Sequence, residues 1–384
     1  MCHYSHMKRY LEDYILSDLP KKIVLLSGPR QTGKTTLSKG LYTSFDYYNY
    51  DVDTDRFRLQ QKAWDRAQQL VIFDELYKMK LWKRWLKGVY DTEKNPPYLL
   101  VTGSARLNTF RKVGDSLAGR YFSYRLHPID LKEAHHYFSD DDEANFAKLM
   151  SCGGFPEPFF QNDTTYYQRW ARSHIDVILR QDLIDMFAVR DIRAIETLVL
   201  LLKQRVGSCV SYANLARDLE RDANTVKRWL EILEELYIIF RVIPYSKNIS
   251  RSLLKEPKYY FYDIAQTQQE NGARLENLVA SALLKELHFI EDTTGAVTNL
   301  HYLRTKEGKE LDFLICINNI PKCLIEVKSS DEKPSAAFNY FMRYFPNIKA
   351  IQLVKNLPRE ATYPNGLQVR ALVKWLVKLN LTDD

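Results

Sequence analysis

The 384-residue chain is short of cysteine, and none of its five (Cys2, Cys152, Cys209, Cys316, Cys323) stands in a Cys-x-x-Cys pair. That argues against a disulfide framework and against a cysteine-based zinc site, and it makes the reducing cytoplasm the expected home. No apolar run reaches the roughly 20 residues a membrane-crossing helix needs. The opening stretch MCHYSHMKRYLEDYIL is charged throughout and lacks the apolar core of a secretory leader. A large excess of one charge is also missing. Against 48 acidic side chains stand 55 basic ones, a net +7 that admits a polyanionic partner without requiring one. No internal repeat or low-complexity stretch is visible. His135 and His136 are adjacent in a helical pattern, so they would point apart and make no metal pair.

What is present reads as two or three domains. Ile23 to Ser27 is a short apolar run of the kind buried in a parallel sheet, with further strands expected at Tyr47 to Val52, Leu70 to Phe73 and Tyr98 to Thr102. Helical patterns lie between them, after Lys34 and around Leu81 to Tyr90, which predicts an α/β domain with a parallel sheet covered on both faces. Beyond residue 130 come an acidic patch (Ser139 to Glu143), the turn-rich Gly153-Gly154-Phe155-Pro156-Glu157-Pro158, and long helical patterns from Thr165 to about Gln204. From Gly272 the expected order is helix, two strands, helix, strand, helix. The predicted segments are 1–130, a helical lid or linker at 131–204, a compact helix-helix-hairpin at 205–265, and a second α/β unit at 266–384.

Gly28-Pro29-Arg30-Gln31-Thr32-Gly33-Lys34-Thr35 fits G-x-x-x-x-G-K-[ST] at every fixed position. Glycines let a backbone wrap a phosphate with its N–H groups, and the helix that follows, beginning around Thr36, directs its positive end at the anion. Lys34 reaches the outer phosphates and Thr35 takes one Mg²⁺ position, so ATP and Mg²⁺ are the expected ligands. Leu70-Val71-Ile72-Phe73-Asp74-Glu75 ends an apolar strand in two carboxylates. Asp74 is placed for the Mg²⁺ shell and Glu75 for polarising the attacking water. Ser104, after the next strand, is the candidate sensor of the γ-phosphate. Arg106 and Arg120 are candidates for arginine fingers acting on a neighbour's nucleotide.

In the middle segment, Asn214 to Leu219 and a longer helix capped by Asn224 carry Val226, Trp229, Leu230, Leu233 and Leu236 on one face. With strands at Tyr237 to Val242 and Lys258 to Tyr262, and with Lys247, Arg251 and Lys255 between them, this is the plan of a winged helix-turn-helix. It serves DNA contact in some proteins and protein docking in others, and Glu231, Glu234 and Glu235 would repel phosphates. Further on, Asp312 opens one apolar strand while Glu326 and Lys328 share a face of another. Charges on such strands need a partner or a purpose. A divalent metal held by Asp312 and Glu326, with Glu276 as a further carboxylate and Lys328 catalytic, is one reading. An ion pair between Glu326 and Lys328 is the other.

The stretches GPRQTGKTTL, VIFDEL with WKRWLK, TGSARL and SLAGR resemble the AAA-type (AAA_14-like) ATPase domain of a large prokaryotic family. GGFPEPF, YSKNI, RLENLVA, TKEGKELDFLI and IEVKSS are similar to its C-terminal, DUF4143-type part. The Asp312, Glu326 and Lys328 trio resembles the D…ExK core of PD-(D/E)xK restriction-endonuclease-like nucleases, with Glu276 matching the helical acid. The resemblance implies an AAA+ P-loop ATPase acting on DNA, branched structures included, as a homo-oligomer for which a ring is one arrangement. Nuclease activity, or a nuclease fold that only binds DNA, belongs to the same implication. A nucleotide switch acting through protein partners is the alternative.

Overall fold

The computed structural model describes residues 7–93, 96–104, 117–138, 141–183, 187, 191–246, 255–267, 271–330 and 333–382. Two compact units result, Met1–Pro128 and Ile129–Asp384. Among the described residues no helix is long and apolar enough to cross a membrane.

The first unit is built on five parallel strands: β1 (Ile23–Ser27), β2 (Phe45–Asn49), β3 (Leu70–Asp74), β4 (Tyr98–Gly103) and β5 (Tyr121–Arg125). Their order across the sheet is β2-β3-β4-β1-β5. β1 and β3 are buried at every position, which their unbroken apolar runs require of strands covered on both faces. The sequence marks four of the strands and passes over β5, whose residues are mostly half-exposed and polar. Helices α1 (Glu12–Asp18), α2 (Lys34–Gly40), α3 (Asp53–Gln60) and α4 (Trp82–Thr92) complete the unit. α4 buries Trp82, Leu86 and Val89, an i, i+4, i+7 stripe. Trp64, Phe73 and Trp85 lock edge to face beside it, with ring centroids 5.5–6.1 Å apart. Since β4 lies between β1 and β3, the carboxyl ends of all three strands meet along one edge, where parallel sheets bind ligands.

The second unit opens with α5 (Leu131–Phe138), α6 (Asp142–Cys152), α7 (Pro156–Gln161), α8 (Thr164–Val177) and α9 (Ile192–Lys203). Next come α10 (Tyr212–Asp218) and α11 (Ala223–Glu235), then β6 (Ile239–Pro244) and β7 (Lys258–Phe261), an antiparallel pair. α11 is capped by Asp222, whose side chain accepts from the Thr225 N–H, and not by Asn224 as the sequence suggests. The helix starts one residue before Asn224, so the extended backbone and the capping oxygen fall to Asp222. Lys247 and Arg251 lie outside the described residues, as do Ser139 and Asp140; Lys255 is exposed.

A 24-residue helix, α12 (Asn271–Thr294), leads into β8 (Thr298–Arg304), β9 (Glu310–Ile317), β10 (Ile320–Lys328), α13 (Ala336–Phe341), β11 (Lys349–Val354), β12 (Ala361–Thr362), β13 (Leu367–Ala371) and α14 (Leu372–Val377). β8, β12 and β13 are strands beyond those the sequence marks. The sheet runs β12-β13-β11-β10-β9-β8-β6-β7, with β6 pairing in parallel to β8 at Ile243↔His301. The hairpin and the C-terminal strands are therefore one sheet. Leu303, Leu311, Leu314, Leu324 and Phe338 form part of its core. Buried Lys285 joins α12 to α5 through Glu133 at 2.6 Å and to Asp130 at 3.0 Å.

Around the turn-rich motif, Cys152, Phe155, Tyr167 and Trp170 pack together. Gly153, at φ +71°, lets Asp263 approach so closely that a Cβ would lie 2.3 Å from its Oδ1. The Tyr167 hydroxyl donates to Asp263 Oδ2 at 3.0 Å. Burial pushes the Asp263 carboxyl up to about 6, against an opposing pull from Tyr167. A carboxyl raised on folding takes up a proton in the window between its unfolded and folded values, so its contribution to stability falls as pH rises through that window. Asp263 should thus cost the fold on the order of 3 kcal/mol between roughly pH 4 and pH 6. Urea titrations across that range should show a flatter pH dependence for Asp263→Asn than for the parent; identical slopes would mean the carboxylate is not buried this way.

Candidate nucleotide site

The loop after β1 is shaped by its glycines. Gly28 leaves the strand at φ +149°, and a Cβ there would stand 2.2 Å from the Leu126 carbonyl oxygen, so a side chain has no room. Gly33, at φ +92°, starts α2 in the left-handed region. Gln31 is exposed with φ +63°, Arg30 is half-buried and Thr36 is exposed on the helix that follows. Buried Lys34 folds over the loop, its Nζ donating to the carbonyls of Gly28 at 3.0 Å and Pro29 at 2.7 Å. Thr32 closes the turn by donating to the Pro29 carbonyl at 2.9 Å.

Arg9, which the sequence gives no reason to single out, braces this loop from outside. Its guanidinium is buried and donates to the Thr32 carbonyl at 3.1 Å and the His127 carbonyl at 2.6 Å. A cation bonded to backbone carbonyls holds both the loop and the chain after β5 in place.

Asp74 collects donors from three elements. Its Oδ2 accepts from the Thr35 hydroxyl at 2.9 Å and the Tyr47 hydroxyl at 2.8 Å, while Oδ1 accepts from Thr102. Burial and then the Asp74 carboxylate keep the Tyr47 phenol protonated. Lys39 Nζ lies 3.7 Å from the centre of the Tyr47 ring. The two groups expected to meet Mg²⁺, Thr35 and Asp74, are thus side by side, and both offer the hard oxygen donors that this ion takes.

Glu75 sits where the backbone turns out of β3 in a left-handed conformation, φ +56°, which is costly for a non-glycine residue. Its N–H donates to the Thr102 carbonyl at 3.0 Å. Oε2 accepts from the Tyr77 hydroxyl, which lies 2.9 Å from Ser104 Oγ. One phenol therefore joins the candidate water activator to the candidate phosphate sensor, and no sequence signal announces it. Lys78 Nζ approaches Glu75 at 3.7 Å. Burial raises the Glu75 carboxyl, and Tyr77, Lys34 and Lys78 pull it back down.

Arg120 is away from this edge. It precedes β5 at the amino end of the strands, and its Nε and Nη2 pair with Asp91 at 2.8 and 3.3 Å. Arg106 lies outside the described residues.

In the second unit Asp312 and Glu326 are brought together on β9 and β10. The Asp312 N–H donates to Glu326 Oε2 at 3.3 Å, and Asp312 Oδ2 accepts from the Val327 N–H at 2.8 Å. Lys328 pairs with Glu326 Oε1 at 2.7 Å. Glu276 on α12 is bound instead by Lys258 and Tyr260 of β7, at 3.2 and 2.6 Å. Burial drives all three carboxyls upward, and Asp312 adds to the rise at Glu276 and Glu326. Among the described residues no three His, Cys, Asp or Glu side chains converge as a metal ligand set. Of the three carboxylates expected to hold a second Mg²⁺, Asp312 and Glu326 are neighbours, while Lys258 stands at Glu276 and Lys328 at Glu326. A cavity of about 820 Å³ elsewhere in this unit, with Ile315, Ile351, Trp375, Lys322, Lys349 and Lys378 in its wall, includes none of these carboxylates.

The Arg9 brace has a measurable consequence. Charge-assisted hydrogen bonds contribute about 1.5–3 kcal/mol, so Arg9→Met should weaken ATP binding on the order of ten-fold or more. Titration with a fluorescent ATP analogue reads this directly, and an unchanged Kd would show the brace to be dispensable.

Residues 20–135 match a family described as AAA domain, and residues 143–269 and 271–369 match two domains of unknown function, DUF8612 and DUF4143. The uncharacterized protein Rv2008c of Mycobacterium tuberculosis is 25% identical over 317 residues, 78% of this chain and 68% of its own. The uncharacterized protein MJ1544 of Methanocaldococcus jannaschii is 25% identical over 346 residues, 80% of this chain and 75% of its own. Among solved structures, a variant of Thermotoga maritima RuvB is similar at 17% identity and a TM-score of 0.33, covering 62% of this chain and 88% of that one. So loose a likeness says nothing about partners. The glycine-bounded loop and the Asp74 carboxylate both lie within the residues that match the AAA domain, and matches to DUF8612 and DUF4143 follow along the chain.

Proposed function

We propose that the protein hydrolyses ATP with Mg²⁺ and couples that turnover to binding or remodelling DNA, branched forms included. The observation that carries the nucleotide half is the contact of Thr35 with Asp74 beside a loop that only glycine can form at Gly28. Thr35 and Asp74 would hold the ion, which supplies charge neutralisation between the outer phosphates. Backbone N–H groups from Gly28 to Thr36 and the Lys34 ammonium would cradle the triphosphate, Lys34 exchanging its carbonyl partners for phosphate oxygens. Glu75 orients and polarises the attacking water, and its raised carboxyl makes it a stronger base than a solvated glutamate. Ser104 reads the γ-phosphate and reports to Glu75 through Tyr77.

The DNA half rests on α10, α11 and the β6–β7 hairpin, which follow the plan of a winged helix-turn-helix. The amino-terminal half of α11 leaves Asn224, Lys227 and Arg228 exposed, while Glu234 turns inward to Arg241 at 3.6 Å. The basic end of the helix is thus the end that would enter a groove. Arg106 or Arg120 would complete a neighbour's site, which makes a homo-oligomer, with a ring as one arrangement, part of the same proposal. Nuclease activity of the C-terminal domain, with Lys328 beside Glu326 and Asp312, stays a secondary part of the proposal.

Lys34→Ala should abolish ATP turnover. Glu75→Gln should cut turnover by about a hundred- to ten-thousand-fold while ATP still binds. DNA should stimulate the parent, and Lys227→Ala and Arg228→Ala should each lower the salt slope of DNA binding by about 0.9. An ATPase rate indifferent to single-stranded, duplex and branched DNA, with no salt-sensitive binding, would replace this reading by that of a nucleotide switch acting on protein partners.

A further inference from the structure

The carboxylates of the C-terminal sheet face a cation that the chain itself supplies. Lys258 leaves β7 into the space between α12 and β9, with its side chain only 2% exposed. Its Nζ lies 3.2 Å from Glu276 Oε1 and 2.6 Å from Glu310 Oε1. Glu276 Oε1 also accepts from Tyr260, and Glu276 Oε2 packs within 2.8 Å of where a Cβ would stand on Gly207. Both donors thus meet one oxygen of the helical acid, and its other oxygen lies against Gly207. Glu310 turns its other oxygen to Arg304 at 3.5 Å. Asp312 accepts from the Val327 N–H, and Glu326 pairs with Lys328. Every carboxylate in the group has a protein donor.

Burial disfavours the charge on Glu276, Asp312 and Glu326 together, so the cluster needs positive charge close to it. A divalent ion is one solution and a buried ammonium is another. An ammonium has three donors on one point charge, so it can bridge two carboxylates without an ordered ligand shell. Here the lysine arrives from the hairpin strand, while the acids belong to α12, β9 and β10.

We propose that Lys258 is the resident cation of this cluster, and that the C-terminal sheet gathers its acids around an internal ammonium in place of a divalent metal. The cluster is then an electrostatic clasp that fastens β7 to α12 and β9.

The test compares thermal unfolding of the full-length parent, Lys258→Met, Glu276→Gln and the double variant, without nucleotide, in EDTA and in excess Mn²⁺. The parent should unfold at the same temperature in both. Lys258→Met leaves Glu276 and Glu310 facing each other, so its midpoint should fall on the order of 10 °C. Adding Glu276→Gln should recover part of that loss, because it removes the charge the lysine had balanced. A Mn²⁺-dependent rise in the parent that Asp312→Asn abolishes and Lys34→Ala leaves intact would overturn the proposal. So would a Lys258→Met variant as stable as the parent, or a double variant that loses the sum of the two single losses. Should Lys258→Met fail to fold, the parent and Asp312→Asn in Mn²⁺ still decide between ammonium and metal.

Discussion

A single carboxylate organises the first unit. Asp74 ends a strand buried at every position, where polar atoms are costly without hydrogen-bond partners, and both of its oxygens have donors. Those donors are Thr35 at the start of α2, Tyr47 of β2 and Thr102 of β4. Satisfying one buried acid therefore sets the phosphate loop, two strands and the turn at Glu75 relative to each other. The proposed ATPase chemistry would draw on the same group, because the oxygens that keep the strand ends aligned are also those that a Mg²⁺ ion would share.

How much of this is legible in the sequence depends on how local the cause is. The loop from Gly28 to Thr35 is readable because its chemistry is written in consecutive residues, and β1, β3 and β4 because burial on both faces demands apolar runs. Strand β5 lacks such a run and escapes notice. Arg9 is silent for a different reason: its partners are 23 and 118 positions away, and an arginine near a chain start has no pattern to betray it. Tyr77 follows Glu75 by two residues, but only the left-handed turn at Glu75 brings its hydroxyl back to the carboxylate.

The C-terminal acids show the converse. Their alternation along β9 and β10 correctly brings Asp312 beside Glu326, because strand geometry alone decides it. The Glu326–Lys328 pair is one of the readings the sequence offers, but the cation beside Glu276 and Glu310 is not readable, since Lys258 belongs to a hairpin that the sequence assigns to a separate module. A short acidic motif specifies neighbours within its own sheet and says nothing about a side chain delivered from elsewhere.

Strand β6 is bonded to β7 along one side and to β8 along the other. The hairpin is consequently no flap on a tether. Any load applied to α10 and α11, by duplex or by protein, passes into the hydrogen-bond ladder of the eight-stranded sheet, where sliding one strand breaks register with the next. Such a joint transmits force stiffly and tolerates little swivel, so this half of the protein would respond to cargo as a girder does and not as a hinge.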